Sequence, residues 1–445
     1  MKLHLNTIKN LIYKTLKRPF VRNFTMVMTG AAFGQAVAIL FSPILTRLYG
    51  PEIFGITGVV LSIVAITVPL STLTYANALV LPKSDDDAVR LLRISIYFAS
   101  FISIVLFILI HFFGSNFTSV FNISEVEPYL LFIPFFTFLN ACHECFSFWL
   151  VRKGNFKGKT IIDAFTSVFD NSSKALLGSS FPFPSTMLFL SISSRFLGSV
   201  LLLFEVKKSW PTYVASSKLG ISDSFYNYKR TALTYIDFPL LRTPQITLNV
   251  ASQGLPIILL ASFFGPASAG FFGIARRLVG IPVGLIGSAL ASVIYPRLAA
   301  AVHKEEKFDH LVLQATVVLG CIGIIPYALL FLTAPWLFQF VFGEEWLTAG
   351  IYAKWMSLWM FSGFLNIPSV QSIPIIGIQQ WFLKFEIVST ILRVITIVFG
   401  FYFLNNDVHT IILYSVIGFI INTYLISYVY LKNRSFAKNF TNDSM

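Results

Sequence analysis

Ionisable side chains set inside long apolar runs are the residues of this chain that could do chemistry. An ionised group near the centre of a bilayer costs about 2.5–3.5 kcal/mol on insertion scales, so it must face a cavity or a partner. Asp163, Thr166, Ser167, Asp170 and Lys174 fall on one helical face by the 3.6-residue period, with Asp170 and Lys174 an i,i+4 pair. Arg242, Gln245, Asn249, Ser252 and Gln253 repeat the pattern, and so do Glu386, Ser389, Arg393 and Thr396. Arg195 stands mid-run beside Ser191, Gly198 and Ser199, with no acid on its own run nearer than Glu205. Asn140, Glu144 and Ser147 share one side of another run, Arg276 and Arg277 open a further one, and Lys354 lies early in one more.

Polar stripes on several helices describe a water-accessible cleft, and Lys174, Arg195 and Arg393 make it cationic, which suits an anionic ligand. Arg195 is the foremost candidate for a substrate contact. Asp170–Lys174 and Glu386–Arg393 have a second reading, as neutralising pairs that only hold helices together. Asp170 and Glu144 are the candidates for titrating or for binding a coupling cation.

Other motifs carry less. Cys142-His143-Glu144-Cys145 has the residue types of a metal or redox site, but adjacent residues on one helix point apart and a site needs four placed ligands. The two cysteines read as packing residues. Ser84-Asp85-Asp86-Asp87 reads as a capping-box-like helix start, with acids at the positive end of the dipole, rather than as a cation cluster. Gly280, Gly284 and Gly287 read as close helix packing. There is no P-loop, so the chain does not use ATP directly, and no cofactor is expected.

The elements that position these residues follow from composition. The chain is 56% hydrophobic and only 12% charged, where a soluble protein carries roughly 25%. Three cysteines make no disulfide framework, so helix packing must supply stability. At about 20 apolar residues per crossing, twelve spans are expected: 26–46, 53–75, 94–113, 128–151, 160–180, 184–206, 241–264, 272–297, 311–334, 349–374, 382–404 and 409–431. Net charge +13 raises nucleic acid as a partner, but the placement of the cations excludes it. Alternate connections hold nearly all the Lys and Arg, while the others hold Arg47 with Glu52, Glu125, Glu127, Glu344, Glu345 and Asp407. By the positive-inside rule both termini are cytoplasmic. The polar fifth span must cross, because the basic connections 152–159 and 207–240 share a side and 184–206 spans between them. Residues 1–25, with six basic residues and apolar ones at helical spacing, fit an amphipathic helix on the membrane surface. A cleaved signal peptide fits worse, since the next apolar run is long enough to span.

Gly50-Pro51 and Gly265-Pro266 each open a Gly-Pro-x-x-x-Gly unit joining two apolar runs, 215 residues apart. Leu81-Pro82-Lys83 and Tyr295-Pro296-Arg297 echo each other at 214. A repeat of half the chain follows, with a parallel axis because six spans per lobe preserve orientation. The expected division is 1–25, an N-lobe 26–206, a cytoplasmic linker 207–240, a C-lobe 241–431 and a tail 432–445.

Several stretches then resemble a known family. They are Arg22-Asn23, the run from Ser42 through Arg47-Leu48-Tyr49-Gly50-Pro51-Glu52 to Gly55, Ala78-Leu79-Val80-Leu81-Pro82-Lys83, the run from Phe148 to Lys157, and Phe264-Gly265-Pro266 through Gly270 to Arg276-Arg277. They are similar to the Wzx-type polysaccharide and O-antigen flippases, the polysaccharide-transporter branch of the multidrug/oligosaccharidyl-lipid/polysaccharide exporter superfamily. The resemblance covers the whole layout but is specific mainly in the first 160 residues. It implies a V-shaped pair of six-helix lobes in the bacterial inner membrane. The implied task, in O-antigen, lipopolysaccharide or other surface-polysaccharide assembly, is alternating-access transport of undecaprenyl-diphosphate-linked oligosaccharide from the cytoplasmic to the periplasmic leaflet, driven by a proton or sodium gradient. One departure stands out: relatives often carry Arg-Tyr-Glu where this chain has Thr74-Tyr75-Ala76-Asn77, so any gate that trio forms must close differently here.

On that footing Lys174, Arg195 and Arg393 attract the diphosphate, Arg276 guards the outer mouth, and Arg242, Gln245 and Asn249 touch phosphate or sugar. Partners are membrane lipid, the anionic lipid-linked oligosaccharide and other polysaccharide-assembly proteins. A drug or metabolite cation antiporter of the same superfamily is the nearest alternative, and the excess of mid-span Arg and Lys opposes it. A membrane glycosyltransferase or polymerase would need a catalytic loop, and the connections 114–127 and 335–348 are too short to fold as one.

Overall fold

The computed structural model describes residues 19–210, 225–287 and 308–443, together with 294, 295, 297, 298 and 301. Residues 1–18 of the basic N-terminal segment, 211–224 of the linker and Pro296 of the second echo lie outside the described residues. Every regular element among the described residues is helical, as expected where hydrocarbon forces each backbone N–H and C=O to be satisfied within its own segment. The main helices are α1 (Pro19–Thr72), α2 (Asp85–Val120), α3 (Phe132–Arg152), α4 (Phe156–Gly178), α5 (Pro184–Lys208), α6 (Phe225–Thr234), α7 (Thr243–Phe264), α8 (Pro266–Val279), α9 (Phe308–Phe342), α10 (Leu347–Leu365), α11 (Gln379–Phe399) and α12 (Asp407–Asp443).

Seven helical stretches among the described residues are long and apolar enough to cross a membrane: Ala32–Thr72, Asp85–Val120, Pro184–Lys208, Phe238–Phe264, Phe308–Phe342, Gln379–Leu404 and Asp407–Phe436. The protein is therefore an all-helical, multi-pass membrane protein. Helices α3, α4, α8 and α10 are shorter or more polar than these. The first stretch is two helices in one, because Gly50 breaks α1 at φ 65°, ψ 170°. Gly265 parts α7 from α8 at φ 87°, ψ 166°. Such positive φ suits glycine, and the proline that follows starts a new helix without needing its missing N–H. The two turns singled out by their 215-residue spacing thus take the same backbone path.

By its contacts the chain forms two compact units. The first holds residues up to Leu48 with Val60–Thr118 and Val126–Ala251, and the second holds Tyr49–Val59, Ser119–Glu125 and residues from Ser252 onward.

In the first unit, Tyr75, Leu79, Val89, Leu91, Trp149, Leu150, Leu202 and Val206 form a buried core. Arg152 ties its edge together. The guanidinium donates to the carbonyls of Leu79 (3.3 Å), Pro82 (2.6 Å) and Ser84 (3.1 Å), and to Asp85 Oδ1 (3.0 Å). Two of the stretches that carry the family resemblance, 78–83 and 148–157, are therefore held against each other by one side chain. Ser84 donates to Asp87 Oδ2 (2.7 Å) and accepts from Asp87 N (3.2 Å), the expected cap of α2. α6 docks on this edge. Arg93 donates to Tyr228 OH (2.9 Å), Tyr75 OH donates to the Ala232 carbonyl (3.1 Å), and Thr231 donates to Asp87 Oδ1 (3.3 Å). At the departure from relatives, Thr74 donates to the Phe238 carbonyl (3.1 Å) and lies 3.0 Å from Thr243 Oγ1, so neutral hydroxyls occupy this place.

In the second unit, the helix that opens after Gly50 crosses α8 at its N-terminus with almost no space. A Cβ on Gly55 would stand 2.5 Å from the Pro266 carbonyl carbon, and one on Gly270 would stand 3.0 Å from the Pro51 carbonyl carbon. The contact is reciprocal, the glycine of each Gly-Pro-x-x-x-Gly turn seated on the proline carbonyl of the other turn, in the manner of small residues that let membrane helices touch. Buried Trp346 closes it with edge-on contacts to Phe54 (5.4 Å) and Phe271 (6.0 Å). Nearby, Asp407 accepts hydrogen bonds from Ser268 and Tyr352, both 2.6 Å.

Candidate substrate and ion sites

Ionisable groups gather in two places, one in each unit. In the first unit the polar face of α4 meets α3 and α5. Gly198 of α5 makes room for Thr166 and His143, and Ser194 donates to the Thr166 carbonyl (3.0 Å). On the other side Ser167 donates to the Gly34 carbonyl of α1 (3.1 Å). Asp163 takes Lys159 at 2.5 Å and His143 Nε2 at 3.5 Å. Asp170 takes Lys174 at 2.7 Å, and Lys174 is buried. Arg195 lies in the field of both Asp163 and Asp170, so the acids missing from its own helix are supplied by α4. Lys159, Lys174 and Arg195 still outnumber the two aspartates. The Oδ1 atom of Asp170 is buried with no hydrogen-bond partner among the described residues. Glu144, on the neighbouring face of α3 to His143, is half-buried. Cys142 packs in the core with Trp149, and Cys145 is fully buried beside it on the helix.

In the second unit, α7, α8, α10, α11 and α12 each contribute a residue. Arg276 donates to both the backbone carbonyl and the side chain of Gln253, the latter at 2.8 Å. Arg276 and Arg393 lie within each other's field and within range of Tyr414. The Arg393 guanidinium sits over the Trp359 ring, 5.1 Å from its centroid, and Trp359 packs edge-on to Tyr414 at 5.2 Å. The Nε of Arg393 is buried with no hydrogen-bond partner among the described residues. Glu386 is near enough to act on Arg393 electrostatically, but the two form no ion pair. A half-buried guanidinium resting on an aromatic face with an unused N–H can donate to an anion. Lys354, by contrast, spends its charge over Phe331 (5.1 Å) and Trp355 (6.0 Å).

The structure thus brings Lys174, Arg195 and Asp170 together, and Arg276 and Arg393 together. Arg242 and Gln245 join neither group. Arg242, just before α7, and Gln245 and Asn249, in its first turns, are exposed, with Arg242 reaching Gln245 Oε1 only at 3.5 Å. Trp359 and Tyr414 went unread in the sequence, since an aromatic residue in an apolar run carries no signal of a cation above it.

Residues 44–350 match the family of polysaccharide biosynthesis proteins, and the chain belongs to that family. It is similar to the succinoglycan biosynthesis transport protein ExoT of Rhizobium meliloti (strain 1021), at 22% identity over 68% of this chain and 58% of that protein. The chain thus matches just over half the length of that curated relative. Among solved structures, an inward-facing multidrug resistance MATE family transporter of the MOP superfamily aligns with TM-score 0.71 and 14% identity, covering 92% of this chain and 96% of that one. The lipid II flippase MurJ in an inward closed conformation aligns with TM-score 0.70 and 15% identity, covering 94% and 91%. The chain thus shares its fold with a multidrug transporter and with a lipid II flippase, two proteins of unlike cargo.

Proposed function

We propose that the protein is a flippase for undecaprenyl-diphosphate-linked oligosaccharide, moving it from the cytoplasmic to the periplasmic leaflet of the bacterial inner membrane. The observation that carries this is Arg393: a guanidinium inside the apolar part of the chain, in the field of Arg276 and with an N–H left over. A cation half-buried among apolar residues with no ion pair is costly unless an anion visits it. A diphosphate answers that need, while the polyprenyl tail stays in lipid. The MATE and MurJ folds fit this chain equally well, so fold does not separate a drug antiporter from a flippase. Charge favours the flippase, since a cationic drug would be repelled by Arg276 and Arg393.

In this proposal Lys174 and Arg195 give the head group a second cationic stop, and Arg242, Gln245 and Asn249 meet phosphate or sugar on its way. Asp170, with its unused oxygen, and Glu144 are where a proton or sodium ion would couple. The proposal takes twelve crossings in two six-helix lobes, 26–206 and 241–431, with a parallel repeat and both termini cytoplasmic; the break of α1 at Gly50 and the shorter helices α3, α4, α8 and α10 beside the seven long apolar stretches support that number. The test is depletion of the protein in its host, followed by lipid analysis. Accumulation of one lipid-linked repeat unit on the inner leaflet is expected, and unchanged lipid-linked sugars would reject the proposal.

A further inference from the structure

We infer that the outer face of α6 binds the head group of an anionic phospholipid. The helix is divided cleanly between two faces. Tyr228, Thr231, Ala232 and Tyr235 turn onto the core of the first unit, where Thr231 is 4% exposed. Tyr226, Lys229, Arg230, Leu233 and Thr234, at helical spacing on the other face, line an open recess of about 430 Å³.

Charge and depth together choose the occupant. Lys229 and Arg230 are exposed and form no ion pair among the described residues, and the acid of the segment 225–242 is Asp237 alone. The apolar stretch of membrane length begins at Phe238, directly after this helix. Exposed Leu233 (55%), Leu240 (65%) and Leu241 (66%) continue from the recess into that stretch. Two cations beside a tyrosine, with leucines leading down to hydrocarbon, match phosphate, glycerol and acyl chain in turn. A nucleic acid or an acidic protein would use the cations but leave the leucines bare. Because the inner face is fastened by Tyr75, Arg93 and Asp87, the recess is presented on a rigid support and loses little on ordering a lipid.

The test is native mass spectrometry of the full chain in detergent, titrated with phosphatidylglycerol and, separately, with phosphatidylcholine. Each basic residue near a membrane surface is worth about 1 kcal/mol toward anionic lipid. The double variant Lys229→Gln/Arg230→Gln is therefore expected to weaken phosphatidylglycerol retention roughly tenfold to thirtyfold and to leave phosphatidylcholine unchanged. Lys207→Gln/Lys208→Gln, at the exposed end of α5, controls for diffuse attraction and is expected to change retention less than about twofold. Equal loss in the control, or no loss in the double variant, would overturn the inference. So would displacement of phosphatidylglycerol by undecaprenyl diphosphate at a lower concentration, which would make the recess a substrate station. No readout depends on transport, so failure here and failure of the flippase proposal are distinguishable.

Discussion

Replacing Gly270 by alanine should loosen the crossing between the helix that follows Gly50 and α8. The added Cβ would stand 3.0 Å from the carbonyl carbon of Pro51, 3.1 Å from Gly55 N, and nearer still to the Pro51 carbonyl oxygen. All three neighbours are backbone, so no side chain can swing aside. Restoring ordinary contact with the carbonyl oxygen, the tightest of the three, requires the two helices to part by roughly an ångström or more. Overpacking of this kind costs about 1–3 kcal/mol, and the upper part of that range applies because Trp346 must also slacken its grip on Phe54 and Phe271. Gly273, one turn further along α8, has nothing within 4 Å of its would-be Cβ. There alanine should be neutral or slightly stabilising through helix propensity. Thermal unfolding of the purified protein, followed by tryptophan fluorescence, reads the pair. Gly270→Ala should lower the midpoint by several degrees and Gly273→Ala should not. Adding Gly55→Ala to Gly270→Ala should cost less than the sum of the single effects, since helices already parted make room for the second methyl. If Gly270→Ala and Gly273→Ala unfold together with the wild type, the crossing is not the tight backbone contact described.

Three further outcomes follow from the ion pairs and from Arg152. Asp170→Asn leaves Lys174 buried without its carboxylate and should destabilise by about 3–5 kcal/mol, while Asp170→Asn/Lys174→Met should recover most of that in the same melting assay. Arg152→Lys should cost about 2–3 kcal/mol, because one ammonium cannot reach the carbonyls of Leu79, Pro82 and Ser84 together with Asp85. Gln253→Leu removes the acceptor side chain of Arg276 but not the backbone carbonyl. It should therefore lower transport with little effect on the melting midpoint, as expected of a residue that positions another.

What could be read from the sequence was local. The Gly50-Pro51 and Gly265-Pro266 turns, the Ser84–Asp87 cap and the Asp170–Lys174 pair each depend on residues within one turn of each other, and each is present as expected. Pairings across helices could not be read. Arg195 looked free of acids because its neighbours along α5 are neutral, yet α4 brings Asp163 and Asp170 to it. His143, met as part of a cysteine-flanked motif, belongs instead with Asp163. The cushion of Trp359 beneath Arg393 joins residues 34 positions apart on different helices, and a hydropathy pattern holds no trace of it. The reciprocal glycine crossing falls between these cases. Its residues stood out by their repeat, but that each seats on the other's proline carbonyl is a matter of tertiary packing.

The most direct measurement is transport by the reconstituted protein of a fluorescent undecaprenyl-diphosphate oligosaccharide, read as loss of accessibility to a membrane-impermeant quencher, in wild type and Arg393→Gln. A hydrogen bond to a charged group is worth about 1.5–3 kcal/mol, so the variant should be slower by roughly ten- to a hundredfold while melting near the wild-type temperature. A wild type that moves no lipid-linked sugar, or an Arg393→Gln variant that moves it at the wild-type rate, would contradict the account.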